Sequence, residues 1–188
     1  MSPLTAPAAT PATLTATAAA LAAEVLRDLP GRLRHSAGVA RRARDLSTTV
    51  APADRDLLVA AAWLHDVGYG ADAYETGFHA LDGARYLRRN GWPARLCALV
   101  AYHSGAKFAA PAHGVTLAGF TEERSPVADA LTYADQTTDP AGRTVTLQAR
   151  MAEMLSRHGV SSVQADIQPV REPHLRAIEE RVTARLTA

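Results

Sequence analysis

The sequence predicts an all-α fold, one helical bundle, on three observations. Ala is abundant while aromatics make up only 5% of the chain. That composition suits close-packed helices and not a β-sandwich, which needs β-branched and aromatic runs. Apolar residues recur at helical spacing in one segment after another, and no segment reads as a strand. Pro, Gly and capping residues divide the chain into helix-sized pieces. At 188 residues, 47% of them apolar, the chain is long enough for one domain with a well-buried core.

The elements follow in order. Residues 1–12, rich in Ala, Thr and Pro, read as a mobile tail, and 13–188 as a single domain. Leu14 to Leu29 is an Ala-rich helix that Pro30-Gly31 stops. Arg32 to Ser47 carries Leu33, Ala37, Ala40, Ala43 and Leu46 at helical spacing, with Arg34, Arg41, Arg42 and Arg44 on a solvated face. Asp54 caps the helix Arg55 to His65, whose LLVAAAWLHD run is apolar all round and therefore central and buried. Gly68 and Gly70 turn the chain. A helix opens at Thr76 or Gly77 and runs to Arg89, where Asn90-Gly91 closes it. Pro93 suits the first turn of the next helix, Ala94 to His103. Ser104 to Glu123 holds Gly and Pro with little periodicity and reads as a long loop, of the kind that often forms a functional lid. Ser125-Pro126 caps and opens the helix Val127 to Gln136. Helices at about Val145 to His158 and Glu172 to Leu186 finish the chain.

Composition also bounds function. The formal net charge is +1, so no global field draws the chain toward nucleic acid. No apolar stretch approaches bilayer length, and the first residues lack the basic start and compact apolar region of a secretory signal. No membrane partner is expected. The single cysteine, Cys97, has no internal disulfide partner, which fits a cytoplasmic setting.

Two acidic positions break the apolar pattern. Asp135 falls on the stripe of Ala128 and Leu131, where a core residue is expected, and His65-Asp66 closes the most apolar helix. A buried carboxylate is costly unless it is paired or bound to a cation. Several such groups at the ends of separate buried helices satisfy one another by sharing a metal ion, and bundle cores commonly assemble such sites. With His35, His79 and His103 they form an ordered set, H…HD…H…H…D. His113, His158 and His174 lie in a loop or near helix ends, without a partner pattern.

The runs AAAWLHDVGYG, GFHALDGARYL, AYHSGAK and ADALTYADQTTDP carry that set. Through them, over about Arg32 to Asp139, the chain resembles the HD-domain superfamily of metal-dependent phosphohydrolases, helical bundles with a metal site in the core. The added His79 and His103 resemble its six-ligand, two-metal subgroup. The resemblance implies that His35, His65, Asp66 and Asp135 bind a first metal, and that Asp66 bridges to a second held by His79 and His103. Imidazole and carboxylate donors without thiolate suit divalent Fe, Mn, Zn or Ni and argue against a zinc finger. Fe or Mn is favoured, with Mg also admitted. Two metals that share a carboxylate can share a hydroxide, a nucleophile near neutral pH, and this gives Asp66 a catalytic role. Lys107, one turn beyond His103 if that helix continues, would meet a phosphate or phosphonate as a point charge. Arg34 and Arg85 are secondary anion candidates. Asp72 and Glu75 are either general acids or ordinary exposed turn acids.

The leading function implied is hydrolysis of a phosphate ester or nucleotide by a metal-bound hydroxide, on a small phosphorylated substrate. A second reading is a dinuclear-iron oxygenase acting on a small phosphonate-like substrate. HSGAK resembles that branch, in which a lysine follows the ligand His, but no Tyr precedes His35 to cap an open iron position. A third is a non-catalytic nucleotide- or partner-binding module, which the completeness of the six-residue set disfavours.

Overall fold

The computed structural model describes residues 11–187, so most of the expected 1–12 tail lies outside the described residues. Ten α-helices follow one another among these residues: α1 (Pro11–Val25), α2 (Pro30–Asp45), α3 (Arg55–Leu64), α4 (His79–Arg89), α5 (Ala94–Tyr102), α6 (Ala106–Ala109), α7 (Pro126–Gln136), α8 (Leu147–His158), α9 (Val163–Asp166) and α10 (Gln168–Leu186). The described residues include no strand, only an isolated bridge between Thr138 and Thr144. The fold is all-α. No described helix is long and apolar enough to cross a membrane.

The bundle is organised around α3. Leu58, Val59, Ala60, Ala61, Ala62 and Leu64 are all buried, because α1, α2, α5 and α7 pack around this short helix. A helix apolar on every face has no side to give to water, so it occupies the centre. Its C-terminus, and with it His65 and Asp66, is thereby carried into the interior.

Several boundaries differ from the sequence expectation, each for a local reason. Pro30 opens α2 instead of stopping α1; in the first turn its missing N–H costs nothing. Asp54 precedes α3 but its side chain makes no cap; it pairs with Arg95. Of the arginines expected on a solvated face, Arg41 donates to the Gly142 carbonyl at 2.9 Å and Arg42 to Thr137 Oγ1 at 3.4 Å. The start of α4 is at His79, because the fully buried Asp82 reaches back to accept the N–H groups of Glu75, Thr76 and Gly77 and the Thr76 hydroxyl, holding that stretch as a turn. α10 opens at Gln168, with Pro169 in its first turn, and continues through Pro173. The expected loop from Ser104 to Glu123 contains α6 and short 3-10 turns on either side of it.

Candidate metal centre

His65 is the residue just past the end of α3, and Asp66 follows it. Gly68 then allows the 67–69 turn to lie against the start of α4: a Cβ there would stand 1.9 Å from the His79 carbonyl oxygen. That close approach sets Asp66 beside His79. His103 follows the last residue of α5, where the chain breaks because Ser104 and Gly105 take left-handed backbone angles (φ 55° and 73°). His35 lies in α2 and Asp135 in α7.

All six residues meet at one place. His35 Nε2 lies 2.8 Å from Asp135 Oδ1, and His65 Nε2 lies 3.6 Å from the same oxygen and 3.5 Å from Asp66 Oδ1. His79 Nε2 lies 3.6 Å from Asp66 Oδ1 and 3.3 Å from His103 Nε2. Two groups of donors are compact enough to hold an ion, His35–His65–Asp135 and His65–Asp66–His103. The residue they share is His65, whereas the expected bridge was Asp66. All but His79 are buried.

The surroundings aim these donors inward. His35 Nδ1–H donates to the Asp139 carbonyl (3.0 Å), His65 Nδ1–H to Ala62 (2.8 Å) and His103 Nδ1–H to Val100 (2.6 Å). A carbonyl only accepts, so each bond fixes the proton on Nδ1 and turns Nε2 to the centre, as outer partners of metal-ligating histidines do. The carboxylates are tied the same way. Asp135 Oδ2 accepts from the Ser104 hydroxyl and from Gln136 Nε2, and Gln136 Oε1 in turn accepts from Arg171. Asp66 Oδ2 accepts from Arg32 at 3.2 Å. Both carboxylates thus keep Oδ1 for the cluster.

Protonation states follow from the same contacts. Burial pushes His65 down, and it pushes His79 down to about 3, so both rings are neutral. Against their own burial, Asp66 is held below the usual carboxylate range by positive charge around it, that of Arg32 and of a protonated His35 included, and Asp135 by the His35 hydrogen bond and nearby charge. Neutral imidazole and ionised carboxylate are the forms that bind metals. His65 Nε2 is buried without a hydrogen-bond partner and faces a carboxylate oxygen that also only accepts. Such an arrangement is costly until a cation lies between them. The donor set therefore fits a divalent metal.

The cluster opens into a cavity of about 190 Å³. Lys107 does not reach it. Its Nζ pairs with Glu122 Oε1 at 2.6 Å and lines a separate cavity of about 530 Å³, to which His103 also contributes. Glu75 pairs with Arg85 and Arg89, and Asp72 lies near Arg27; neither acid, nor Arg34 or Arg85, lines the cluster's cavity. Arg32, Arg150, Arg157 and Arg171 line it instead, with Tyr69, His113 and His158. Tyr69 stacks on the His79 ring at 4.3 Å, and the Arg32 guanidinium sits over the other component of that stack, 3.9 Å from the Tyr69 centroid. Sequence spacing offers one signal for these residues: Arg32 precedes His35 by three positions and so shares its helix face.

Among curated proteins and among solved structures, none matches the chain. The family model described as HD domain matches residues 32–139, more than half of the chain and the span that holds all six clustered residues. That family consists generally of metal-dependent hydrolases. The chain belongs to the HD-domain family.

Proposed function

We propose that this protein is a metal-dependent phosphohydrolase acting on a small phosphate ester or nucleotide, with His35, His65, Asp66, His79, His103 and Asp135 as the metal ligands. The observation that carries this reading is the inward aim of the donors: three histidines and two carboxylates each spend their outer atom on a protein partner and turn the inner one toward the cluster. Each of the two overlapping donor triads is compact enough to hold an ion, which supports this reading. When bound, divalent ions would supply Lewis acidity to a phosphoryl oxygen and an activated water near neutral pH. The chain's own residues do the rest. Arg32, at the cavity wall, offers guanidinium donors to an anionic substrate. Phe78, Ala106, Ala109, Met154 and Ile167 supply apolar wall that restricts water.

The oxygenase reading drew on HSGAK with Lys107 reaching the substrate. Lys107 is engaged with Glu122 away from the cluster's cavity; this withdraws the feature that had singled out the oxygenase, and it equally withdraws Lys107 as a phosphate clamp for the hydrolase. The test is phosphate release from a panel of nucleotides and phosphomonoesters, using protein stripped by a chelator and then given manganese, under argon. Release is expected to return with manganese, to need no oxygen, and to be abolished in Asp66→Ala. Release that ignores chelation contradicts the proposal. So does a protein that releases nothing under argon yet consumes oxygen with a phosphonate.

A further inference from the structure

A second cavity of about 330 Å³ adjoins the one that holds the His/Asp cluster. Arg32, His35, Arg150 and Arg157 line both, so the two cavities meet at these side chains, and the second alone is of the size class that holds small molecules. Three arginines from two helices face this junction, and Asp28 is the one carboxylate that lines the second cavity among the described residues. Arg150 and Arg157 share a single acid: Glu153 accepts from Arg150 Nη1 through one oxygen and lies 3.1 Å from Arg157 Nε through the other. One positive charge of that pair is left over. Arg32 has Asp66 as its partner, a carboxylate whose other oxygen is turned to the cluster. Arg150 is buried (8% exposed), yet its Nε has no hydrogen-bond partner. Nε itself offers no surface to a ligand, so the accessible edges of Arg32 and Arg157 (34% and 40% exposed) are the ones that would meet an anion there. The floor adds further donors. α2 begins here with Pro30 and Gly31 lining the cavity, and no side chain caps its N-terminus. A Cβ on Gly31 would meet nothing nearer than 4.0 Å. Unclaimed first-turn N–H groups and the positive end of a helix of this length favour an anion.

We propose that Arg32, Arg150 and Arg157, with the N-terminus of α2, form a second anion subsite that takes a phosphate or phosphonate group next to the one held at the His/Asp cluster. The substrate class is thereby narrowed to molecules with two adjacent phosphate-type groups. The identity of the first position rests on the phosphohydrolase reading, whereas the arginine subsite does not. Arg150 and Arg157 stand on α8, beyond the residues matched by the family, so this side of the junction belongs to the C-terminal part of the chain.

The test is calorimetric titration of the manganese-loaded full chain with methylphosphonate and with methylenediphosphonate, in wild type and in Arg157→Gln. The Arg157 side chain is 40% exposed, so the variant keeps the fold. Chelation of the ion by the diphosphonate is common to both proteins and cancels in the comparison. Wild type is expected to bind the diphosphonate tighter than the monophosphonate. Losing one charge-assisted fork should weaken diphosphonate binding about tenfold and leave methylphosphonate within about twofold. Equal loss for both ligands, no loss for either, or no preference in wild type overturns the subsite. Neither probe has to be hydrolysed, so absence of phosphate release from every ester would count against the phosphohydrolase reading alone.

Discussion

His35 has an acceptor at each ring nitrogen, the Asp139 carbonyl at Nδ1 and Asp135 Oδ1 at Nε2. Burial works against a charged ring, but the Asp135 hydrogen bond and the charges of Asp135 and Asp66 outweigh it, and the net effect raises His35 above its ordinary 6.5. In the ion-free protein this proton stabilises the fold; the contribution is complete below 6.5 and is lost as pH rises through the raised folded value. A cation at Nε2 must displace the same proton. Metal affinity should therefore climb with pH through that window, by about tenfold per pH unit for one proton displaced. Zinc titrations of chelator-stripped protein at about pH 5.5, 6.5 and 7.5 check this; a flat affinity would remove His35 from the ligand set. At this scale the clustering of Asp66 and Asp135 was legible because buried acids interrupt an apolar pattern. Their supports were less so. Arg34 adjoins His35 in sequence but points elsewhere on the helix, while Arg32, three positions away, shares the face. Gln136 and Arg171 bond through the fold across thirty-five positions, a distance that no local pattern encodes.

The helices matched their periodic patterns, and the departures came where one residue acts over a turn. The chain does not continue as a helix after His103, since Ser104 and Gly105 go left-handed, and this is why Lys107 sits on α6 facing Glu122. Pro30 reads as a stop in the sequence but opens α2, because proline can follow one helix and begin the next. Asp82 shows how one side chain sets an element's start. It holds the three N–H groups ahead of α4 and so fixes where His79 emerges. Asp82→Ala should cost about 2 kcal/mol, the loss of a multiply bonded cap, and should lower metal content by loosening His79. Denaturant unfolding and elemental analysis measure the two effects. A change below about 0.5 kcal/mol, the usual range for surface substitutions, would show that α4 starts at His79 for another reason.

For the molecule as a whole, the cluster joins α2, α3, α4, α5 and α7, so an ion bound there cross-links most of the bundle. Ligand binding to the folded state alone stabilises it by about 2.7 kcal/mol at a hundredfold excess over Kd. Chelator-stripped protein should therefore melt several degrees lower than metal-loaded protein, and Asp66→Ala should melt at the same temperature with or without metal. Unchanged melting of the wild type on adding manganese or zinc would mean that the ion does not bridge these helices. The all-α class and its apolar centre were readable from composition and α3 alone, whereas the arginine-lined cavity was not, because α2 and α8 meet only in the folded chain. The most direct test of the central claim is anomalous X-ray diffraction at the zinc edge from crystals of the zinc-loaded protein. One or two peaks are expected inside the His/Asp cluster, with nitrogen and oxygen donors from these six residues at about 2.0–2.2 Å. A structure with zinc supplied in excess and no anomalous peak within reach of His65 and Asp135 would contradict the account.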